Sequence, residues 1–221
     1  MIWFVYQILQ DLERCSIRFK LGCLYKRSIS KTFILFESTT LDTLSTAWAS
    51  VNHLHIHSMN VPFQLGMDIC PSLPLKAETK KINGKIRQMN PSNTLFDGFV
   101  LNSKSEDDIE EIVCLMDKMV IYFHDNEIPY NVVWSRGSDI NTNGELEPTL
   151  VRVFIWPRFS GEGLLPHPAF DNACAELGGH LPIKTREEFD KITGESALER
   201  LHTSKLTKEK FDSILNDFSK F

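Results

Sequence analysis

Val51-Asn52-His53-Leu54-His55-Ile56-His57-Ser58-Met59 carries three histidines two residues apart, with Leu54 and Ile56 between them. Strict alternation of this kind is the pattern of a half-buried β-strand, whose successive side chains point to opposite faces. The spacing predicts one face bearing all three imidazoles and another turned into a core. At roughly 3.3 Å per strand residue, His53 and His57 start about 13 Å apart. One metal ion cannot easily take both, although an adjacent pair could share one. A neutral imidazole is also a competent nucleophile that needs no prior deprotonation, and a central ring held between two others suits that work. Three readings stand side by side: polar strand residues with ordinary hydrogen-bond partners, a metal site, and a nucleophilic site.

Working outward, Leu41, Leu44, Ala47 and Trp48 suggest a brief helix leading into this strand, and Thr32-Phe33-Ile34-Leu35-Phe36 a short strand before it. Val5, Ile8, Leu9 and Leu12 predict a first helix near residues 3–15. Residues 66–93 read as a long connection broken by Pro71, Pro74, Gly84 and Pro91, and connections of that length are often functional or mobile. Thr94–Leu101 reads as a strand. Ser105 is expected to cap a helix whose apolar stripe runs Ile109, Ile112, Val113, Met116, Met119, Val120, Phe123, with Asp107 and Asp108 near its positive end. Pro129–Ser135 and Leu150–Trp156 predict an antiparallel hairpin with a long loop. Ala169–Leu177 reads as a helix closed by Gly178-Gly179, and His180–Lys184 as extended. Thr185 with Glu188 marks a further helix start. Phe211, Ile214, Leu215 and Phe218 form the stripe of a C-terminal helix. Antiparallel strands and segregated helices together imply an α+β fold.

The chain has 221 residues and a formal net charge of -5, so no broad basic field recruits nucleic acid. A phosphate-bearing ligand must be held by local donors. Five cysteines, Cys15, Cys23, Cys70, Cys114 and Cys174, are odd in number and widely spread. They argue against a disulfide framework and a cysteine zinc site and fit a reducing, cytoplasmic compartment. Met1-Ile2-Trp3-Phe4-Val5-Tyr6 is apolar but short, with Asp11 and Glu13 soon after, and predicts neither a signal peptide nor a membrane span.

Four blocks resemble the GDP-D-glucose phosphorylases, relatives of plant GDP-L-galactose phosphorylase in the histidine-triad superfamily that also holds galactose-1-phosphate uridylyltransferase. They are Ala47-Trp48-Ala49-Ser50-Val51-Asn52-His53-Leu54-His55-Ile56-His57, Ile128-Pro129-Tyr130-Asn131, Arg152-Val153-Phe154-Ile155-Trp156-Pro157-Arg158, and Glu176-Leu177-Gly178-Gly179-His180-Leu181-Pro182-Ile183-Lys184. The resemblance implies a histidine-triad-like antiparallel sheet with helices packed on it, spanning residues 41–200, between a poorly defined segment 1–40 and a C-terminal helix in 201–221. Family members are longer, mostly before the histidine strand, so the resemblance implies an incomplete version of a two-half architecture. It also implies lower stability than a full-length relative, or need of a partner. Thr43-Leu44-Ser45-Thr46 stands where the family pattern carries Asn-Ser-Leu-Gly.

The implied reaction is guanylyl transfer from GDP-glucose to inorganic phosphate through a covalent GMP-histidine, with no metal and no cofactor. The nucleophile of the family motif corresponds to His55. His53 and His57 would orient the ring or donate to phosphate, and Ser50 and Asn52 are neutral donors for non-bridging oxygens. Arg158, before the loop Ser160-Gly161-Glu162-Gly163, is a candidate to grip a phosphate, with a surface salt bridge as the equal alternative. Arg152 is a weaker candidate of the same kind, His180 reads as structural, and Trp48 and Trp156 read as core. Two alternatives remain: a truncated, non-catalytic remnant that binds guanine nucleotides, and a metal-binding protein using a His-x-His pair with Asp68, Cys70 or His167. The hexose preference and the oligomeric state stay open.

Overall fold

Val153-Phe154-Ile155-Trp156 is apolar at every position because both of its faces are covered. The computed structural model describes residues 32–37, 55–60, 63–75, 85–92, 94–140, 144–159 and 166–219. Its strands are β1 (Thr32–Glu37), β2 (His55–Asn60), β3 (Ser72–Pro74), β4 (Ile86–Met89), β5 (Phe99–Ser103), β6 (Tyr130–Ile140) and β7 (Leu146–Pro157). They form one seven-stranded sheet in the order β2-β1-β6-β7-β5-β4-β3, and every pairing is antiparallel. The helices are α1 (Asp108–Asp125), α2 (Cys174–Leu177), α3 (Arg186–Lys191), α4 (Gly194–His202) and α5 (Lys208–Phe218). The α+β class expected from the sequence is the class observed.

Period-two alternation sorts the central strands between two cores. Phe99, Leu101, Val132, Trp134, Val153 and Ile155 meet the stripes of α1 and α5 on one face. Phe99, Phe123, Phe211 and Phe218 interlock there, with ring centroids 4.8 Å apart for Phe99–Phe218 and 5.5 Å for Phe123–Phe218. Each such side chain contributes about 1.5–3 kcal/mol of burial free energy. Val100, Val133, Phe154 and Trp156 point the other way, toward Leu65, Met67, Phe170, Cys174, Leu177, Ala197 and Leu201.

Several local expectations need correction. Residues 66–93 are not a plain connection. They hold a 3-10 turn (Gly66–Ile69) and strands β3 and β4, too short and too polar to show period-two patterning. Ser105 does not cap α1. Asp107 occupies the N-cap, and the Asp108 carboxylate accepts from the Lys104 and Ser105 amides instead. The helix expected over Ala169–Leu177 is the single turn α2, closed as expected by Gly179 at φ +95. Thr185 does accept from the Glu188 amide. The helix expected near residues 3–15 and the one before the histidine strand lie outside the described residues.

One connection organises the second face. β2 and β3 are the outer strands of the described sheet, so the chain between Asn60 and Ser72 runs from one rim to the other. Six strand spacings amount to about 29 Å, and twelve residues reach at most about 40 Å fully extended. Its described part, from Phe63, crosses the face carrying Val133, Phe154 and Trp156, where Leu65, Met67 and Cys70 are buried. We refer to Phe63–Cys70 as the strap.

Candidate functional site

The histidine strand is placed by its register. β1 pairs with both β2 and β6, which sets His55 opposite Glu37, Glu37 opposite Asn131, and Asn131 opposite Trp156. These four backbone positions form one row across four strands. His57, Leu35, Val133, Phe154 and Val100 form another. Two strand spacings put the backbone of His55 about 10 Å from that of Asn131. Ser50, Asn52 and His53 lie outside the described residues, as does the loop 160–163.

Asn131 links this row to a buried cation. Arg158 is fully buried, and its Nη1 donates to Asn131 Oδ1 at 2.7 Å. The Arg158 amide donates to Pro129 O at 2.7 Å, which closes the β6–β7 hairpin beyond its last strand pair. Full burial excludes a surface salt bridge for Arg158. The next residue continues the frame, because the Phe159 amide donates to Ser204 O at 2.9 Å. Ser204 ends the turn after α4, where buried Asn172 donates from Nδ2 to Arg200 O at 2.8 Å and Leu201 O at 3.1 Å. That amide satisfies carbonyls which a helix end otherwise leaves open.

Arg152 serves the strap and not a ligand. It too is fully buried. Its Nη1 donates to Met67 O at 3.2 Å, Asp68 O at 3.3 Å and Ser138 O at 2.8 Å. Nη2 donates to Cys70 O at 2.7 Å, and Nε to Asn102 Oδ1 at 3.1 Å. Asp139 Oδ1 stands 3.6 Å from Nη2. Burial lowers the Arg152 pKa from the usual arginine value, while Asp139 pushes it back up. Asp139 also accepts from the Ser72 amide and hydroxyl and from Asn102, which ties β3 to the same knot.

The Gly-Gly-His block covers the strap from outside. A Cβ on Gly178 would come 2.8 Å from Met67 Sδ, and one on Gly179 3.6 Å from the Gly66 nitrogen. The His180 ring lies 5.5 Å from that of Phe63. Trp156 is core: its ring stacks on Phe154 at 5.7 Å and 10°. Sequence reasoning had no partner for Arg152, and the signal it passed over was position. An arginine between Val151 and Val153, on the face of Phe154 and Trp156, is an inward charge on a buried strand, which demands a full set of acceptors. Gly137 inside β6 was the matching sign. The ladder shifts between Ser135 and Gly137, and a Cβ there would sit 2.1 Å from Asp68 O.

Among the described residues no group of three or more His, Cys, Asp or Glu is arranged to hold a metal ion. Asp68 accepts from the Leu65 amide and the Ser135 hydroxyl. Burial raises the Cys70 thiol to about 11, with the Arg152 charge opposing, so it stays protonated. His167 Nδ1 accepts from the Ala169 amide. Among the described residues no helix is long and apolar enough to cross a membrane.

Comparison with known proteins bears on the same blocks. GDP-D-glucose phosphorylase 1 of Macaca fascicularis is 30% identical over 168 residues, covering 75% of this chain and 42% of that protein. The Bos taurus protein of that name is 32% identical over 152 residues, 68% of this chain and 38% of its own length. The Caenorhabditis elegans one is 26% identical over 180 residues, 77% and 36%. The chain thus spans about two fifths of the length of the curated relatives it matches. No solved structure matches it. Residues 75–220, which include Asn131, Arg152, Arg158 and the Gly-Gly-His turn, match the family model described as GDPGP1-like, C-terminal domain, and the chain belongs to that family.

Proposed function

We propose that the chain catalyses guanylyl transfer from GDP-glucose to inorganic phosphate, with His55 as the nucleophile. The observation that carries this reading is the row His55–Glu37–Asn131–Trp156, in which Asn131 holds the buried guanidinium of Arg158. The register brings the histidine strand and the Arg158 block into one part of the sheet. The relatives named GDP-D-glucose phosphorylase 1 supply the substrate class.

In the first step a neutral His55 nitrogen attacks the α-phosphorus of GDP-glucose. An N–P bond forms, the P–O bond to the bridging oxygen breaks, and its electron pair leaves with glucose 1-phosphate. In the second step a phosphate oxygen attacks the same phosphorus, the N–P bond breaks, and GDP departs. Each step is an in-line displacement at phosphorus. The leaving group is a weakly basic phosphate, so a strong general acid is not required. His53 and His57 orient the ring or donate to phosphate, Ser50 and Asn52 donate to non-bridging oxygens as charge develops, and Arg158 offers positive charge from the end of β7. No metal or cofactor enters either step. The work takes place in the cytoplasm.

Mass spectrometry of the intact chain after brief exposure to GDP-glucose tests this. A GMP-sized adduct on the His55 peptide, absent in His55→Asn, is the expected result. Turnover that survives the substitution removes the mechanism. A second reading, a guanine-nucleotide binder without turnover, is favoured by one observation: the family match begins at residue 75, beyond β2. Calorimetric binding of GDP with neither adduct nor product would select it.

A further inference from the structure

Arg152 holds the strap, and the strap follows closely on the histidine strand in the chain. Only two residues separate Asn60, the end of β2, from Phe63. Three peptide units reach about 11 Å at most, which keeps the start of the strap within that distance of the end of β2. From Phe63 onward the strap is held on two sides. Toward the sheet, Arg152 collects the carbonyls of Met67, Asp68 and Cys70. Ser135 donates to Asp68 Oδ1 at 2.9 Å, and Asp68 Oδ2 accepts from the Leu65 amide at 2.9 Å. Gly137 leaves the room that Asp68 O occupies. Away from the sheet, the Gly178-Gly179 turn closes over Gly66 and Met67.

We propose that Arg152 is a positioning residue for β2: by fixing the strap it sets where His55 and His57 stand relative to Asn131 and Arg158. The claim that this matters for catalysis rests on the guanylyl-transfer reading above; the claim about β2 does not. A guanidinium suits the task because its planar fork can donate to several diverging carbonyls at once, which a lysine ammonium on a flexible stem cannot reproduce. Arg152 lies on β7, two strands from β1 and three from β2 in the sheet order, so its effect on β2 travels through the strap and not through direct contact.

Two variants of different severity test this, Arg152→Lys and the milder Ser135→Ala, each in the full chain. The first readout is hydrogen exchange at the amides of 55–60, 63–70 and 108–125. We expect exchange at 55–60 and 63–70 to rise at least tenfold in Arg152→Lys and about threefold in Ser135→Ala, while α1 stays within twofold of the parent. A uniform rise that includes α1 means general destabilisation and overturns the proposal. So does loosening of 63–70 that leaves 55–60 unchanged. The second readout is steady-state kinetics with GDP-glucose and phosphate. The expected outcome is a fall in kcat of about tenfold for Arg152→Lys with KM for GDP-glucose within twofold, since misplacing a nucleophile slows the chemical step. Unchanged kcat alongside a loosened β2 would overturn the catalytic half. If the parent chain forms no adduct, the reaction has failed and exchange alone decides the role of the strap. Should Arg152→Lys fail to fold, the threefold signature in Ser135→Ala still separates the outcomes.

Discussion

Arg158 Nη1 and Asn131 Oδ1 meet at 2.7 Å inside the protein, one residue past the end of β7 and one into β6. A buried guanidinium that loses an acceptor is more costly than a neutral donor that does so, and the penalty is about 2–4 kcal/mol. Asn131→Ala should therefore lower the urea midpoint by that equivalent. Asn131→Asp, which keeps an acceptor and adds a negative charge, should recover part of it. An Asn131→Ala midpoint equal to the parent's would mean that the contact contributes nothing.

Asp108 supplies a pH signature. A hydrogen bond from the Lys85 ammonium, then one from the Lys104 amide, holds its carboxyl down at about 2. The folded chain thus favours the charged form. The resulting stability is present above the unfolded carboxyl value of about 4 and is lost as pH falls toward 2. Urea midpoints measured between pH 5 and 2 should drop more steeply in the parent than in Lys85→Met. Parallel curves would show that the pair does not link to folding.

Asn172 spans two segments with one amide. Its Nδ2 donates to Arg200 O and Leu201 O at the end of α4 and lies 3.1 Å from Ser204 Oγ. Asn172→Asp replaces that donor with an anion beside carbonyl oxygens. We expect it to cost about 1–3 kcal/mol, more than Asn172→Ala, with thermal melting as the measure. The same ranking should appear in exchange at the α4 amides.

Thiol chemistry separates the described cysteines. Cys70 and Cys174 are buried, burial raises Cys70 to about 11, and Cys114 is half-exposed. Under native conditions at pH 8, iodoacetamide should label Cys114 before Cys70 and Cys174. Cys70 should follow only at the rate of strap opening, because the thiolate is the reactive form. Peptide mapping over time reads this directly. Early labelling of Cys70 would argue that the strap is not seated.

The elements legible in the sequence were those whose pattern repeats often enough to count. The stripe from Ile109 to Phe123 gave α1, and the two apolar runs gave the β6–β7 hairpin, but not its reach: the strands run on to Ile140 and back from Leu146, through most of the long loop expected there, and the strand expected from Thr94 begins only at Phe99. What escaped notice was short or non-local. β3 and β4 offer Ser72-Leu73-Pro74 and Ile86-Arg87-Gln88-Met89, too few residues for a period to emerge. α4 has only Ala197 and Leu201 fully inside, and it begins with a glycine, a poor helix former. Arg158 was picked out from its place after a strand, but its tie to Asn131 became visible only with the hairpin closed. The strap carbonyls that Arg152 holds lie more than 80 residues away in the chain, and no local rule pairs residues across that distance.

The strap also has a mechanical meaning. An open antiparallel sheet tends to coil and splay at its rims. Here the strap crosses the face between the two outer strands, held by Arg152 at Met67, Asp68 and Cys70 and by Asp139 where it enters β3 at Ser72. It works as a chord drawn across an arc, so the two rims cannot part without first drawing it taut. A pull applied at β2 would therefore be borne not by its ladder to β1 alone but also, along the chain, by the carbonyls of Met67 and Cys70 in the grip of Arg152.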